Sequence, residues 1–324
     1  MASVAPTDAP GLLEASSGPS PIAWVLHDGK AGMASQALGL AEATGFPFNE
    51  KCRGIGFPCI CLPPQLWSLP FRAAGSTGAS LQPPWPDLVV ACDRNAAMPA
   101  PAIRRVGGGR IVAAQIVPEH DRARGARVIV TLGADHRVTQ ARLAAERYRF
   151  PAFVAMPRPI LSVLISGTDG SSRLTLRRVG EITEVLAGIL RRGGGSILVT
   201  ASRWAGPTGL ALLLKRLEGL STAIWDGSGE NPYFAYHALA DAVLVSADSV
   251  PINSEAAATG KPVHILDLDG GNAKFAHFHE AMRAASTTRP FSGRIESWSY
   301  SVPDDTVRAG AALRALVLGR RKQE

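Results

Sequence analysis

The chain has 324 residues, 46% hydrophobic and 19% charged, which supplies apolar surface for two cored domains and excludes a disordered chain. A formal charge of +7 suits an anionic partner such as a nucleotide diphosphate or a phospholipid surface. The arginines are scattered among Ala, Gly and Pro, and no recognition-helix, zinc-finger or aromatic RNA-binding signature accompanies them, so nucleic acid is set aside as a partner.

In chain order, residues 1–20 are rich in Pro, Ser, Ala and Gly and lack the basic start and apolar core of an export signal, so a loose tail is expected. Cys52, Cys59, Cys61 and Cys92 match neither a disulfide framework nor zinc-site spacing, which fits a reducing cytosol, and no metal site is expected. No apolar run reaches about 18 residues, so a membrane-spanning helix is not expected.

A first Rossmann-like domain is expected over 21–158: a strand at 22–26, the loop His27-Asp28-Gly29-Lys30-Ala31-Gly32, a helix over 35–43, and strands at 88–91, 110–114 and 127–131. Between residues 52 and 85 lies a Pro- and aromatic-rich insertion expected to be irregular. The Pro-rich stretch 151–159 is the linker candidate. A second such domain is expected over 159–300. It runs through a strand at 161–165, the turn Ser166-Gly167-Thr168-Asp169-Gly170, a helix over 175–191, a strand at 196–200, a helix over 207–219 and a strand at 222–225. After Asn231-Pro232-Tyr233 come a helix to 241, a strand at 242–245, a helix opened by Pro251 and ended by Gly260, a strand at 263–266 and a helix over 273–285 that should close the sheet. A C-terminal helix is expected within 301–324, ending in Arg320-Arg321-Lys322. Those cations suit the helix dipole, and peripheral membrane contact stays open. The fold class is therefore α/β, two Rossmann-like domains with parallel sheets facing a central cleft.

Candidate site residues cluster where strands hand over to helices, the ligand-binding edge of open α/β sheets. Asp248 and Ser249 precede a helix whose unpaired N–H groups suit a phosphate, and Ser254 and Glu255 follow within it. Glu255 lies four residues after Pro251, on the same helix face, where a carboxylate can accept two hydrogen bonds from a ribose diol; the alternative is a capped helix with a solvated Glu. Gly167 and Thr168 offer small residues and backbone N–H groups to a pyrophosphate, or form an exposed turn. Ser202 and Arg203 form a phosphate clamp, or a helix cap with a surface Arg. Lys30 and Gly32 lie in a loop that is neither a dinucleotide fingerprint nor a P-loop. His27 and Asp28 are the acid–base pair beside it, or turn formers.

The run from Trp24 to Gly32 with Gln36-Ala37-Leu38-Gly39-Leu40-Ala41, then Asn231-Pro232-Tyr233, Ala240-Asp241, Ala247-Asp248-Ser249-Val250, Ser254-Glu255-Ala256, Gly260-Lys261-Pro262-Val263, Lys274-Phe275 and Arg289-Pro290-Phe291, resembles the mitochondrial fission family named for elongated mitochondria. Met33 and Ser35 stand where many relatives carry amides, and Trp204 where a second Arg is common. That family in turn is similar to the two-domain glycosyltransferases of the B-type fold, among them the enzyme that adds N-acetylglucosamine to the lipid-linked peptidoglycan precursor. Those enzymes share the run seen here from Ser254 to Pro262.

The resemblance implies that Glu255 holds the nucleotide ribose, and that Ser249 and the Gly167-Thr168 turn hold the diphosphate. It implies a cytoplasmic transferase, possible at the inner face of the membrane, that moves a sugar from a nucleotide-diphosphate donor to an envelope glycan or lipid acceptor with no metal or further cofactor. For plant members it implies a different role, a peripheral protein that helps recruit a dynamin-type division protein. A non-catalytic adaptor and a nucleotide-sugar epimerase are the alternatives.

Overall fold

The computed structural model describes residues 20–27, 31–52, 81–92, 97, 99–116, 128–130, 137–165, 174–200, 206–268 and 276–322, with 31–33, 52 and 128–130 described by their backbone alone. The expected N-terminal tail and most of the expected irregular insertion lie outside these residues.

The first lobe holds a parallel sheet of β1 (Ala23–His27), β2 (Phe48–Cys52), β3 (Leu88–Cys92), β4 (Val112–Ile116) and β5 (Val128–Val130), in the order β2-β1-β3-β4-β5. Its helices include α1 (Ala31–Thr44) and α2 (Ala100–Val106). The chain then passes through α3 (Gln140–Glu146) and α4 (Pro151–Val154) to the second lobe. There β6 (Ile160–Leu164), α5 (Leu176–Gly193), β7 (Ser196–Thr200), α6 (Gly206–Arg216), β8 (Thr222–Trp225), α7 (Tyr233–Leu239), β9 (Ala242–Ser246), α8 (Val250–Ala257), β10 (Val263–Leu266), α9 (Ala276–Ala284) and β11 (Thr288–Pro290) build a parallel sheet ordered β11-β10-β9-β6-β7-β8. The long helix α10 (Asp305–Arg321) completes the chain.

Strands buried on both faces read as unbroken apolar runs, and this explains why the central ones were visible in sequence. In the first lobe Ala23, Val25, Leu88, Val90, Val112 and Ala114 face α1 and α10, while Trp24, Leu26, Val89 and Ala91 face Leu81 and α2. In the second, Leu161, Val163, Ile197, Val199 and Leu244 pack on α5 and α6, and Val243, Val245 and Val263 pack with Ala256 of α8 on the other face.

Several expectations need correction. Strand β2 was not foreseen, because Phe48-Asn49-Glu50-Lys51-Cys52 is mostly polar, as an edge strand can be. Helix α1 begins at Ala31, so Gly32 lies in its first turn rather than in a loop. Strand β4 starts two residues late, after a turn in which Gly108 and Gly109 take positive φ values of 62° and 82°. The linker candidate contains α4, and the second sheet closes on β11 rather than on the helix before it. Pro290 is tolerated there because β11 is an edge strand.

Helix α10 belongs by packing to the first lobe. Leu313 and Val317 enter its core beside Leu38 and Phe46, Arg314 Nη1 donates to Thr44 O at 2.8 Å, and Arg321 Nε donates to Asp87 Oδ1 at 2.9 Å. Arg320 Nη1 donates to Arg110 O at 3.2 Å. The two arginines of the basic end thus hold the first lobe. The helix approaches α1 closely enough that a Cβ on Gly310 would stand 2.5 Å from Ala43 Cβ and 2.6 Å from its carbonyl carbon. Gly310→Ala is therefore expected to destabilise the chain by about 1–3 kcal/mol through overpacking against backbone. Gly319→Ala, in the same helix with nothing within 4 Å of its new methyl, should be neutral or stabilise by at most about 1 kcal/mol. Urea melts of the two variants check this.

Candidate functional site between the lobes

Both sheets place a topological switch point beside the interlobe gap. In the first, β1 lies between β2 and β3; in the second, β6 lies between β7 and β9, so in each sheet the chain connections leave in opposite directions from the central strand. Helix α1 follows β1 and α8 follows β9, and these two helices meet across the lobes.

At that meeting stands Glu255, only 5% exposed. Ser35 Oγ of α1 donates to its Oε1 and the Tyr233 hydroxyl, from the first turn of α7, donates to its Oε2; both contacts are short. Tyr233 is aimed by Asn231, whose Oδ1 accepts the Tyr233 N–H at 3.0 Å, and by an edge-on ring contact with His237. Burial pushes the Glu255 carboxyl above its ordinary value. The two hydroxyls, and the positive fields of Arg137 and Arg142, pull the other way without cancelling that rise. Burial first, and then the Glu255 charge, raises the Tyr233 phenol well above its ordinary range. The Ser35 and Tyr233 hydroxyls thus fill the two acceptor positions expected to serve a ribose diol.

The segment around α3 ties the lobes at this point. Gln140 Nε2 donates to Ala258 O at 3.0 Å, Arg147 Nη1 to Ala238 O at 3.3 Å, and the Arg142 guanidinium lies 3.8 Å from the Phe234 ring centroid. Arg137 Nε donates to Glu42 Oε1 on α1 at 3.0 Å. Burial, followed by the neighbouring Arg137 charge, lowers the Arg142 value.

Ser249 caps α8 through a long 3.5 Å bond from Ile252 N, with Pro251 in the first turn, as the sequence suggested. Asp248 and Ser254 are buried in the same corner. His27, at the end of β1, is 3% exposed and bonds Glu50 Oε1 of β2 through Nε2 at 2.8 Å. Next to Ser35, Gln36 accepts a bond from Cys92 Sγ at 3.1 Å, linking α1 to the end of β3. Asp28, Lys30, Gly167, Thr168, Ser202 and Arg203 lie outside the described residues. Of the expected set, the structure therefore brings Asp248, Ser249, Ser254 and Glu255 together and sets His27 at the end of the first sheet, with Gly32 at the start of α1.

Ser35, Tyr233, Glu50, Arg137 and Arg142 were not assigned roles from sequence. Tyr233 carried a signal in the Asn-Pro-Tyr turn. Ser35 carried none, because it meets Glu255 across 220 residues of chain.

Two parallel-sheet lobes with paired switch points define a protein of the B-type glycosyltransferase fold, the architecture it shares with solved UDP-GlcNAc 2-epimerases. The chain belongs to the mitochondrial fission ELM1 family, whose model matches residues 31–317. It is 33% identical over 199 residues to the mitochondrial fission protein ELM1 of Arabidopsis thaliana, a match that takes in 60% of this chain and 46% of that protein, so the chain spans about half the length of this curated relative. Among solved structures it is similar to the UDP-GlcNAc 2-epimerase of Methanocaldococcus jannaschii, with 12% identity, 72% of this chain and 77% of that one covered, and a TM-score of 0.52. It is also similar to a putative UDP-N-acetylglucosamine 2-epimerase of Listeria monocytogenes, with 9% identity, coverage of 93% and 88%, and a TM-score of 0.50. Among the described residues, no helix is long and apolar enough to cross a membrane.

The raised Glu255 value has a stability consequence with a definite sign. The folded state holds this proton more tightly than the unfolded chain, so the contribution is fully present below the ordinary glutamate value of 4.5 and is lost as pH rises through the raised one. The stability of the parent chain relative to Glu255→Gln should therefore fall over the pH range above 4.5. Denaturant melts of both proteins across that range would expose a flat difference, which this account does not allow.

Proposed function

We propose that the chain binds a nucleotide-diphosphate sugar in the interlobe crevice and transfers the sugar to a glycan or lipid acceptor of the envelope. The observation that carries this is Glu255, a buried carboxylate at the junction of the lobes whose two oxygens already face two hydroxyl donors, the chemistry a ribose diol supplies. The diphosphate would lie at the start of α8. In the transfer, an acceptor oxygen forms the new bond to the anomeric carbon as the bond to the diphosphate breaks, and the acceptor proton passes to a base on the first lobe. His27 is the base candidate, with Glu50 to orient the ring and offset its charge on protonation. Asp28 follows it in sequence. The α8 N-terminus, and Arg203 by its chemistry, would offset charge on the leaving diphosphate.

A second reading has its own support. Because Ser35 and Tyr233 already satisfy Glu255, the same contacts serve as a fixed interlobe clasp in a glycosyltransferase-shaped adaptor that acts through protein contacts, with peripheral membrane attachment as in the expectation above.

The epimerases similar to this chain act, by name, on UDP-GlcNAc, which makes it the first ligand to try. Calorimetry and thermal melts with UDP, GDP and TDP and their sugars are expected to reveal one binding nucleotide, which stabilises by about 2.7 kcal/mol at 100 times its Kd. Glu255→Ala should abolish that shift. Ser35→Ala, by removing a competitor for Oε1, should tighten binding about threefold to tenfold. Absence of any shift with the parent chain would favour the adaptor, and interconversion of the donor without an acceptor would identify an epimerase.

A further inference from the structure

The chain passes between the lobes twice, and both passages touch one short stretch at the carboxyl end of α8. The first changes lobe between two consecutive residues. Arg137 bonds Glu42 of α1, while Val138 is buried with Leu143, Ala238 and Ala258 of the second lobe. Two residues on, Gln140 Nε2 donates to Ala258 O. The second passage is the irregular run 291–304 between β11 and α10. It is tied to the second lobe by the Glu296 N–H, which donates to His264 Nε2 at 3.2 Å, and by Trp298 Nε1, which donates to Ser286 O at 2.9 Å. It then reaches α8. The Tyr300 hydroxyl stands 2.8 Å from both Ala257 O and Lys261 O, and Val302 lies over Gly260, where an added Cβ would come within 3.0 Å of Val302 Cγ2. Beyond Asp304 the chain is α10, packed on the first lobe.

The last carbonyls of a helix have no partner within it, so the end of α8 offers acceptors to whatever donors reach it. One donor comes from each passage: Gln140 to Ala258 O, and Tyr300 to Ala257 O or Lys261 O, since a phenol has a single proton. Two bodies joined by two chain passages turn with least distortion about the line that joins them, because only a few dihedral angles near that line must change. Here the line runs past residues 257–261. Glu255 lies within one turn of it on α8, whereas Ser249, at the start of the helix, is about 12 Å away along the axis. Rotation therefore opens the gap least at Glu255 and more towards the start of α8. Through Arg137 the first passage also holds Glu42, two turns along α1 from Ser35.

We infer that the lobes turn about a line through residues 137–138 and 302–304, pinned to the carboxyl end of α8, and that Gln140 and Tyr300 are positioning residues that set how far the gap beside Glu255 stands open. Neither grip depends on a bound nucleotide, so the inference is decided separately from the proposed function.

Spin labels at Arg105 of α2 and Lys215 of α6, both exposed and one on each lobe, report the interlobe distance in the full chain by pulsed electron resonance. Ketone-bearing unnatural residues carry them, because the native cysteines would take thiol labels. The parent chain is expected to give one dominant distance. Gln140→Ala and Tyr300→Phe, each removing one grip, should move the closed-to-open ratio about fivefold towards open. An infrared titration of the Glu255 carboxyl, taken as parent minus Glu255→Gln in each background, should move to lower pH in the same variants. Opening admits water and relieves the burial that outweighs Ser35, Tyr233, Arg137 and Arg142. Thr183→Val, which removes a buried hydroxyl bond within α5 on the opposite face of the second sheet, should move neither readout. If Tyr300→Phe does not fold, Val302→Ala, which loosens the same passage over Gly260, takes its place. Unchanged distances in the variants of both passages overturn the inference, as does a change that Thr183→Val reproduces or one that leaves the carboxyl titration where it was.

Discussion

A carboxylate withdrawn from water between two lobes must be supplied with donors, and Glu255 draws one from each lobe: Ser35 from α1 and Tyr233 from α7. This requirement fixes how α1 and α8 approach one another, because a hydroxyl reaches a carboxylate only over a narrow range of distance. Other features hold the lobes at that spacing. The α3 segment bonds the second lobe through Ala258 O and Ala238 O and the first through Glu42, while α10 leaves the second lobe and enters the core of the first. The spacing at Glu255 is therefore held jointly by the hydroxyl clasp, the covalent crossings and the packed helices.

The positive balance of the chain is best understood alongside these contacts. Arg137 and Arg142 face Glu42, Arg158 meets Asp241, Arg178 meets Glu181, and Arg321 meets Asp87. Each exposed pair contributes little to stability by itself, about 0–1 kcal/mol. Those at Glu42 and Asp87 nevertheless sit where separate parts of the chain must be aligned, and their guanidinium groups are engaged within the fold. The net charge of +7 is accordingly weak evidence for an anionic partner, and the cations of α10 that invited a membrane reading are partly committed to the first lobe.

Most of the second sheet was legible because each central strand is a short apolar run ended by a turn; β7, β8 and β10 occur at the residues expected. Burial on both faces writes itself into local composition. Edge strands β2 and β11 escape this rule, since one side of each faces no further strand and polar residues or Pro are admitted. The capped start of α8 was legible for the same local reason, through Ser249 and Pro251. The clasp on Glu255 was not: Ser35 is brought to it by the docking of two lobes, and no spacing rule connects residues 220 positions apart, while Tyr233 reaches it from a neighbouring helix of the same lobe. His27 illustrates the opposite difficulty: its place after a strand was visible, whereas its burial against Glu50 depends on a strand that the polar sequence concealed.

Glu255 raises the question of why an acid occupies a place where the protein supplies two hydroxyl donors. For a clasp alone, a glutamine would accept one of those bonds without the desolvation cost, and apolar replacements of buried ionic groups are often neutral or stabilising. Desolvation outweighs the favourable bonds here, as the raised Glu255 value shows. A buried acid whose ionised form is disfavoured at rest is better suited to a partner that arrives with two hydroxyls and lets the lobes reseat around it.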